Sequence, residues 1–157
     1  MSQKKPIKLE NKKTVLITGI AGFIGFHLAR KLSNTYFVIG LDNLNNYYDI
    51  NLKIDRLKEL GIDLDNESSH YKSSTYSIDF YKIDLNDKES LLSLLDKNKT
   101  DYIIHLAAQA GVRYSLINPK TYIENNVNAF YNVLESMNST SIENLIYASS
   151  SSVYGSN

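Results

Sequence analysis

The sequence contains no cysteine and carries no net charge, and each absence narrows the range of functions. Without cysteine the chain can form no disulfide and no thiolate metal site. Its 17 lysine and arginine residues balance 17 aspartate and glutamate residues, which gives no support for a nucleic-acid or membrane-surface binder. His27, His70 and His105 show no metal-ligand spacing. The composition therefore predicts no metal site and neither a nucleic-acid nor a membrane partner.

Long apolar runs and a secretory leader are also missing. The N-terminal stretch "MSQKKPIKLENKK" is basic, but no apolar core follows it, and no apolar run approaches the length of a membrane span. We expect residues 1–12 to form a basic tail and residues 13–157 to form one domain of a cytoplasmic protein. A chain of 157 residues is long enough to bury one hydrophobic core.

Short apolar runs alternate along the chain with segments of helical periodicity. Strands are predicted at residues 14–19, 36–41, 78–85, 101–107 and 144–150. Helices are predicted at residues 23–32, 50–61, 87–98 and 118–137, with Asp87 as an N-cap and Pro119 at a first helical position. Residues 65–77 are polar and serine-rich, which predicts a surface loop. This alternation predicts an α/β fold, a doubly wound parallel sheet of the Rossmann type.

The first predicted strand runs into a glycine-rich turn, "TGIAGFIG", with glycines at 19, 22 and 25. In dinucleotide-binding folds the first glycine permits the tight turn, and the second lets the backbone approach a pyrophosphate. The third lets the helix pack closely on the sheet. The helix that follows would direct its unpaired N–H groups at the phosphates. The alternative is an ordinary strand-to-helix turn.

Acidic residues end the second and third predicted strands. Asp42, in "LDNLNN", lies 23 residues after Gly19 (42 − 19), near the position of the acid that binds the adenosine ribose. A carboxylate there would repel the additional phosphate of NADP, which favours NAD; the alternative is that Asp42 caps a turn. Asp84 and Leu85 are expected to meet the adenine ring, unless Asp84 is itself a turn residue.

The fourth and fifth predicted strands end in small and hydroxylated residues. In "HLAAQAGVRYS" the alanines and Gly111 would let the backbone approach a cofactor, and His105 is interpreted as a core histidine with a satisfied hydrogen bond. The Arg113 guanidinium suits a carboxylate or phosphate, or alternatively a surface salt bridge. The serines of "YASSSSVYG" would place hydroxyl groups at the ligand crevice.

Five stretches together resemble the extended short-chain dehydrogenase/reductase family of NAD-dependent sugar-nucleotide epimerases and dehydratases. They are "TGIAGFIG", "LDNLN", "HLAAQAGVRYS", "NNVNAFYNVLE" and "YASSSSVYG", in the family's order. Within that family, "DNLNNYYDINLKIDRLKEL" and "AAQAGVRYSLINP" are most similar to the UDP-glucuronate 4-epimerases. The resemblance extends from about residue 14 to residue 157.

The resemblance implies NAD as a tightly held cofactor and a UDP-sugar as substrate. It also implies hydride removal from C4 of the sugar, a 4-keto intermediate, and return of the hydride to the opposite face. Ser150 matches the family's catalytic serine or threonine, and Ser151 and Arg113 are the expected substrate contacts, Arg113 with the glucuronate carboxylate. The expected cofactor-binding residues are Gly19, Gly22, Phe23, Ile24, Gly25, Asp42, Asn43, Asn46, Asp84, Leu85, Leu106, Ala107, Ala108, Asn125 and Ser149.

Family members carry a Tyr-x-x-x-Lys pair on the helix after the fifth strand, and this sequence contains none. We therefore expect an NAD-binding domain truncated before that helix and before the substrate domain, with an uncovered last strand. Lowered stability and self-association are expected to follow from that exposure.

Three other identities remain open: a non-catalytic dinucleotide-binding remnant, a fragment of a UDP-glucuronate decarboxylase, or a fragment of a sugar-nucleotide dehydratase. Dehydratases place acidic residues beside the catalytic hydroxyl, and "SSSSV" has none, which favours an epimerase. The resemblance also implies a homodimer without fixing the oligomeric state.

Overall fold

A computed structural model describes residues 12–65 and 67–155, so most of the predicted N-terminal tail lies outside the described residues. Its strands are β1 (Thr14–Thr18), β2 (Phe37–Asp42), β3 (His70–Lys72), β4 (Ile78–Lys82), β5 (Tyr102–His105) and β6 (Asn144–Tyr147). Its α-helices are α1 (Phe23–Leu32), α2 (Ile50–Glu59), α3 (Lys88–Asn98), α4 (Val112–Ser115), α5 (Pro119–Tyr122) and α6 (Ala129–Asn138). A π-helix (Ile123–Asn128) joins α5 to α6, and a 3₁₀ helix (Ser151–Tyr154) follows β6.

All six strands form one sheet in the order β3-β4-β2-β1-β5-β6. The five strands predicted from the sequence are confirmed and pair in parallel. Because β1 lies between β2 and β5, strand order reverses direction around it, and the carboxyl ends of β1, β2, β4 and β5 meet at one edge of the sheet. Such a switch point is where ligands of doubly wound folds bind.

The surface loop predicted for residues 65–77 was wrong over its middle, where β3 pairs antiparallel with β4. The rings of His70 and Tyr81 stack with centroids 4.2 Å apart across this pair. The His70 Nε2 atom lies 2.9 Å from the Asp79 carboxylate on the same neighbouring strand. Cross-strand contacts of this kind stabilise an edge strand, and they join residues too far apart in sequence to leave a local pattern.

Both faces of the sheet are covered at its central strands, as a doubly wound fold requires. Adjacent residues of β1 point to opposite faces, so Leu16 and Ile17 enter different cores and are both fully buried. Ile17 packs in a cluster with Leu57 of α2, whereas Leu16 packs in a second cluster with Leu91 of α3. The hydrophobic β1 run is therefore continuous because neither face of this strand meets solvent.

The predicted helix signals are present at their expected positions. The Asp87 carboxylate accepts a hydrogen bond from the Ser90 N–H at 3.1 Å and so caps α3. Pro119 occupies the first position of α5, where its missing N–H removes no hydrogen bond. The long helix predicted over residues 118–137 is α5, the π-helix and α6 in series. Its continuity is confirmed, and the wider π turn in its middle has no counterpart in the apolar periodicity.

The last strand, β6, is the most exposed part of the sheet. Within residues 12–65 and 67–155 it pairs only with β5. Ile146 and Tyr147 are 63% and 55% exposed. An uncovered strand with apolar side chains is a template for association with a second copy.

We expect the chain to self-associate through β6, and Ile146→Lys to reduce that association, because it replaces exposed apolar surface with a charge. Analytical ultracentrifugation over a concentration series measures the effect. The matched control is Asn144→Lys, which adds the same charge to the same exposed strand without removing apolar surface. A chain that stays monomeric at every concentration would contradict the prediction.

Candidate functional site

A cleft opens at the carboxyl edge of the sheet, beside the ends of β1, β2, β4 and β5. Its inner part is a cavity of about 140 Å³ and its outer part a cavity of about 600 Å³, with several residues shared between them. Ten of the predicted site residues line the inner cavity: Gly19, Gly22, Asp42, Asn43, Asp84, Leu85, Leu106, Ala107, Ala108 and Asn125. Residues from four strand ends and one helix are thus brought together as expected.

The glycine-rich turn is shaped by close contacts that a side chain would prevent. Gly19 has a φ of +72°, and a Cβ there would lie 2.9 Å from the Ala107 backbone nitrogen. A Cβ on Gly25 would lie 2.2 Å from the Gly19 carbonyl oxygen. Gly22 caps α1 with no side-chain hydrogen bond, so the helix presents its first N–H groups without a side-chain cap. The result is a helix N-terminus directed at the cleft, an arrangement suited to phosphate.

Asp42 is buried at the end of β2, and its carboxylate is bound by two backbone N–H groups and one ammonium group. It accepts hydrogen bonds from the Leu44 N–H at 2.9 Å and the Ala21 N–H at 3.2 Å. The Lys53 ammonium lies 3.2 Å from the same carboxylate and is also buried. The bond to Leu44 is the turn cap that the sequence offered as an alternative, and it coexists with a position on the cavity wall.

Asp84 is held by amide side chains. The Asn43 Nδ2 group donates to one carboxylate oxygen at 2.9 Å, and the Asn86 N–H and Nδ2 groups donate to the other, each at 2.9 Å. Burial opposes ionisation, but these hydrogen bonds outweigh it and lower the pKa of Asp84 below its ordinary value. Asp84 is therefore an ionised acceptor on the cavity wall and, through Asn86, also a turn residue.

His105 is the satisfied core histidine that the sequence predicts. The Thr18 hydroxyl accepts from the backbone N–H groups of Leu106 and Ala107, each at 3.1 Å. Its own proton is therefore directed at His105 Nδ1, 2.9 Å away. The His105 ring also stacks on Phe130, and burial lowers the pKa of His105 to about 4. Thr18 thus fixes both the histidine and the start of the loop that lines the cleft.

Several predicted site residues do not line the inner cavity. Asn46 lines the outer cavity, and Gly25 lies behind the turn. Phe23 and Ile24 expose 68% and 62% of their surface at the start of α1. The others are exposed and line neither cavity: Arg113 on α4, and Ser149, Ser150 and Ser151 after β6.

The serine run has a local structural role. The Ser150 hydroxyl accepts a hydrogen bond from the Ser152 N–H at 3.1 Å and caps the 3₁₀ helix. Because β6 is parallel to β5, the serines nevertheless follow the same edge of the sheet as the cleft.

Sequence reasoning missed eight residues of the inner cavity wall: Leu41, Asn45, Tyr47, Tyr48, Lys53, Ile83, Gln109 and Ala129. The two tyrosines directly follow the predicted ribose-binding turn, which was a usable signal. Lys53 lies four residues before the buried Leu57 and therefore on the inner face of α2, a second usable signal. Gln109 had none, since its position depends on a loop.

No group of three or more histidine, aspartate or glutamate side chains lies close enough to hold a metal ion in the described part of the chain. Across residues 12–65 and 67–155, every helix is too short or too polar to cross a membrane.

A family model and the curated relatives of this chain indicate the same protein family. A model of the NAD dependent epimerase/dehydratase family matches residues 15–157. Protein CapI of Staphylococcus aureus is 46% identical over 144 residues, covering 91% of this chain and 39% of CapI. The UDP-glucuronate 4-epimerase of Thermodesulfobacterium geofontis is 39% identical over 140 residues, covering 88% of this chain and 40% of that enzyme. The chain therefore spans about two fifths of the length of these curated relatives.

A solved structure shows the same likeness. It is the UDP-glucuronic acid 4-epimerase from Bacillus cereus in complex with UDP-glucuronic acid and NAD. The two chains superimpose with a TM-score of 0.76 at 31% identity, covering 92% of this chain and 42% of that one.

We expect the free energy of unfolding to fall as the pH drops from about 6.5 to about 4, because the folded pKa of His105 lies below its unfolded value of 6.5. In that interval the unfolded chain binds the proton more strongly, so the stabilisation is complete above the interval and lost within it. The shift corresponds to about 3 kcal/mol at most.

Urea unfolding of the unaltered chain and of His105→Asn between about pH 7 and pH 4.5 measures this contribution. The asparagine keeps an acceptor for Thr18 but does not titrate, so its stability should depend less on pH. Parallel curves for the unaltered chain and His105→Asn would contradict the assignment.

Proposed function

Because the chain belongs to the NAD-dependent epimerase/dehydratase family, we propose that it forms the cofactor-binding portion of a UDP-glucuronate 4-epimerase. The observation that carries the proposal is the cleft in which an uncapped helix N-terminus, a side-chain-free glycine turn and the buried Asp42 converge. The matched relatives, a UDP-glucuronate 4-epimerase and a structure with UDP-glucuronic acid and NAD bound, support the choice of sugar nucleotide and of NAD.

The residues of the cleft fit a dinucleotide. A Cβ at Gly19 or Gly25 would enter the backbone around the turn, so this surface can only be formed by glycine. A carboxylate at the end of β2 accepts hydrogen bonds from ribose hydroxyls and repels a 2′-phosphate. The Lys53 ammonium forms an ion pair with the Asp42 carboxylate at this cavity wall. Together these features favour NAD over NADP.

We assign the binding roles from this arrangement. The first turn of α1 would hold the pyrophosphate, Asp42 with Asn43 would hold the adenosine ribose, and Asp84 with Leu85 would contact the adenine. Asn125, which lines both cavities, would orient the nicotinamide ribose. When bound, NAD supplies a hydride acceptor and donor for C4 of the sugar.

The serine run and Arg113 are proposed substrate contacts. Ser150 follows the carboxyl end of β6, where a hydroxyl can hydrogen-bond the C4 oxygen and pass its proton. Ser149 and Ser151 flank it with further donors and acceptors. Arg113 would pair with the uronate carboxylate. Because these residues line neither cavity, their roles rest on the family motif and on the shared edge of the sheet.

The chain should bind NAD in preference to NADP, and Asp42→Asn should weaken NAD binding by about 10-fold to 100-fold, as expected for lost hydrogen bonds to a charged group. The same variant should narrow the preference for NAD, because Lys53 would remain to attract a 2′-phosphate. Isothermal titration calorimetry with NAD and NADP measures both affinities in the unaltered chain and in Asp42→Asn.

Two further variants make this test specific. The double variant Asp42→Asn/Lys53→Met should bind NADP more weakly than Asp42→Asn does, because it lacks the Lys53 ammonium. Asp79→Asn makes the same chemical change on β4, where the carboxylate faces His70 rather than the cleft, and should leave both affinities unchanged. An unaltered NAD/NADP ratio in Asp42→Asn would exclude the ribose role.

The chain by itself should not convert UDP-glucuronate to UDP-galacturonate, because its 157 residues contain no Tyr-x-x-x-Lys pair. Loss of a positioned base costs about 10²-fold to 10⁴-fold in rate, and the proposed sugar contacts are incomplete. Chromatography of the UDP-sugars after incubation with chain and NAD measures turnover. Conversion by the purified chain would contradict this expectation, and NAD binding without conversion would agree with it.

A further inference from the structure

The loop after β5, residues 106–111, lines the cleft but belongs to no strand or helix. Side chains therefore satisfy its backbone groups. Thr18 accepts from Leu106 and Ala107 at its beginning. At its end the Tyr122 hydroxyl donates to the Ala110 carbonyl oxygen at 2.8 Å and also contacts that of Gly111.

In the middle of the loop, both backbone groups of Gln109 are bound by the Asn126 side chain. The Asn126 Oδ1 atom accepts from the Gln109 N–H at 2.7 Å, and its Nδ2 group donates to the Gln109 carbonyl oxygen at 2.9 Å. One side-chain amide thereby satisfies both backbone groups of one residue, as a neighbouring strand would. A carboxylate lacks the donor for the second bond, and an alanine provides neither group.

Neighbouring asparagines of the π-helix reach different targets. Asn125 lines the cavity, and Asn126 contacts the loop. Tyr122 lies one turn before Asn126 and contacts the same loop. Single π turns inside α-helices occur often at functional sites. Here one segment contributes both to the cavity wall and to the support behind it.

The loop in turn sets the width of the cleft at the glycine turn. Gly19 packs so closely on Ala107 that a Cβ would lie 2.9 Å from the Ala107 nitrogen. The contacts of Asp42 with Ala21, Leu44 and Lys53 do not involve the loop. A displaced loop would therefore disturb the pyrophosphate end of the cleft and leave the ribose acceptor in place.

We propose that Asn126 is a positioning residue, which fixes Gln109 so that Ala107 and Ala108 stay at the distance from Gly19 that a dinucleotide pyrophosphate requires. This inference rests on the proposed function, since it presumes that NAD occupies the cleft. It assigns Asn126 no contact with cofactor or substrate.

The test compares Asn126→Ala with Asn128→Ala, the same chemical change two residues later in the π-helix. Asn128 is exposed, and its side chain does not cap α6. NAD, ADP-ribose and AMP are titrated calorimetrically into each purified chain, and amide hydrogen exchange at Gln109 is followed without ligand. Asn126→Asp, which keeps an acceptor but loses the donor, and Tyr122→Phe, which removes one hydroxyl, complete the set.

Asn126→Ala should weaken NAD and ADP-ribose by about tenfold, the loss expected for two hydrogen bonds of ordinary strength. AMP, which has no pyrophosphate, should be weakened by less than about threefold. Exchange at Gln109 should accelerate, whereas Asn128→Ala should match the unaltered chain throughout. Asn126→Asp should bind NAD no better than Asn126→Ala does. Tyr122→Phe should lose less affinity for NAD and ADP-ribose, and its affinity for AMP should again change least.

The alternative outcomes are distinguishable. Equal losses of affinity for AMP and for NAD would show that the whole cleft is disturbed, and they would overturn the inference. An NAD affinity that Asn126→Ala or Asn126→Asp leaves unchanged would overturn it as well. If Asn126→Ala does not fold, Tyr122→Phe decides through the ratio of NAD to AMP affinities. Absence of NAD binding by the unaltered chain would remove the proposed function and the inference with it.

Discussion

The close packing of α1 on β1 is the constraint on which the cleft depends. Gly25 lies under the Gly19 carbonyl oxygen, at a separation that would place a Cβ only 2.2 Å from that oxygen. This contact brings the first turn of α1 to the carboxyl edge of the sheet with its N–H groups facing the cleft. The same turn positions Ala21, whose N–H binds Asp42. One backbone contact thus sets both the phosphate-facing and the ribose-facing parts of the candidate site.

Sequence patterns predicted the parts of the site that depend on local rules. Gly19 and Gly25 follow a strand and open a helix, and Asp42 ends the next strand, so order and spacing placed them correctly. His105 was identified as a core residue from its place within an apolar strand. The parallel sheet followed from alternation of strands and helices. These features share one property, which is that neighbours within a few residues determine them.

The remaining features depend on contacts between distant segments. Strand β3 exists through pairing with β4, and Asn126 meets Gln109 across seventeen positions. The π turn adds no apolar signal, because the helix is apolar on one side before and after it. Arg113 and the serines after β6 were selected by motif, and in the described chain they lie outside both cavities. At these positions the proposed roles therefore rest on the motif, because the described cavities do not include the residues.

The π-helix has a consequence for how this segment can change during evolution. A residue of an ordinary α-helix turns the chain by about 100° around the axis, since 3.6 residues complete a turn. A deletion within residues 123–128 can be absorbed by converting the wide turn into an ordinary one, which leaves the buried Val133 and Ser136 facing the sheet. A deletion within α6 would instead rotate one of these residues toward solvent. Homologous chains should therefore tolerate a one-residue gap in this window and nowhere else along the helix, and a chain with the gap must hold its Gln109 loop in another way.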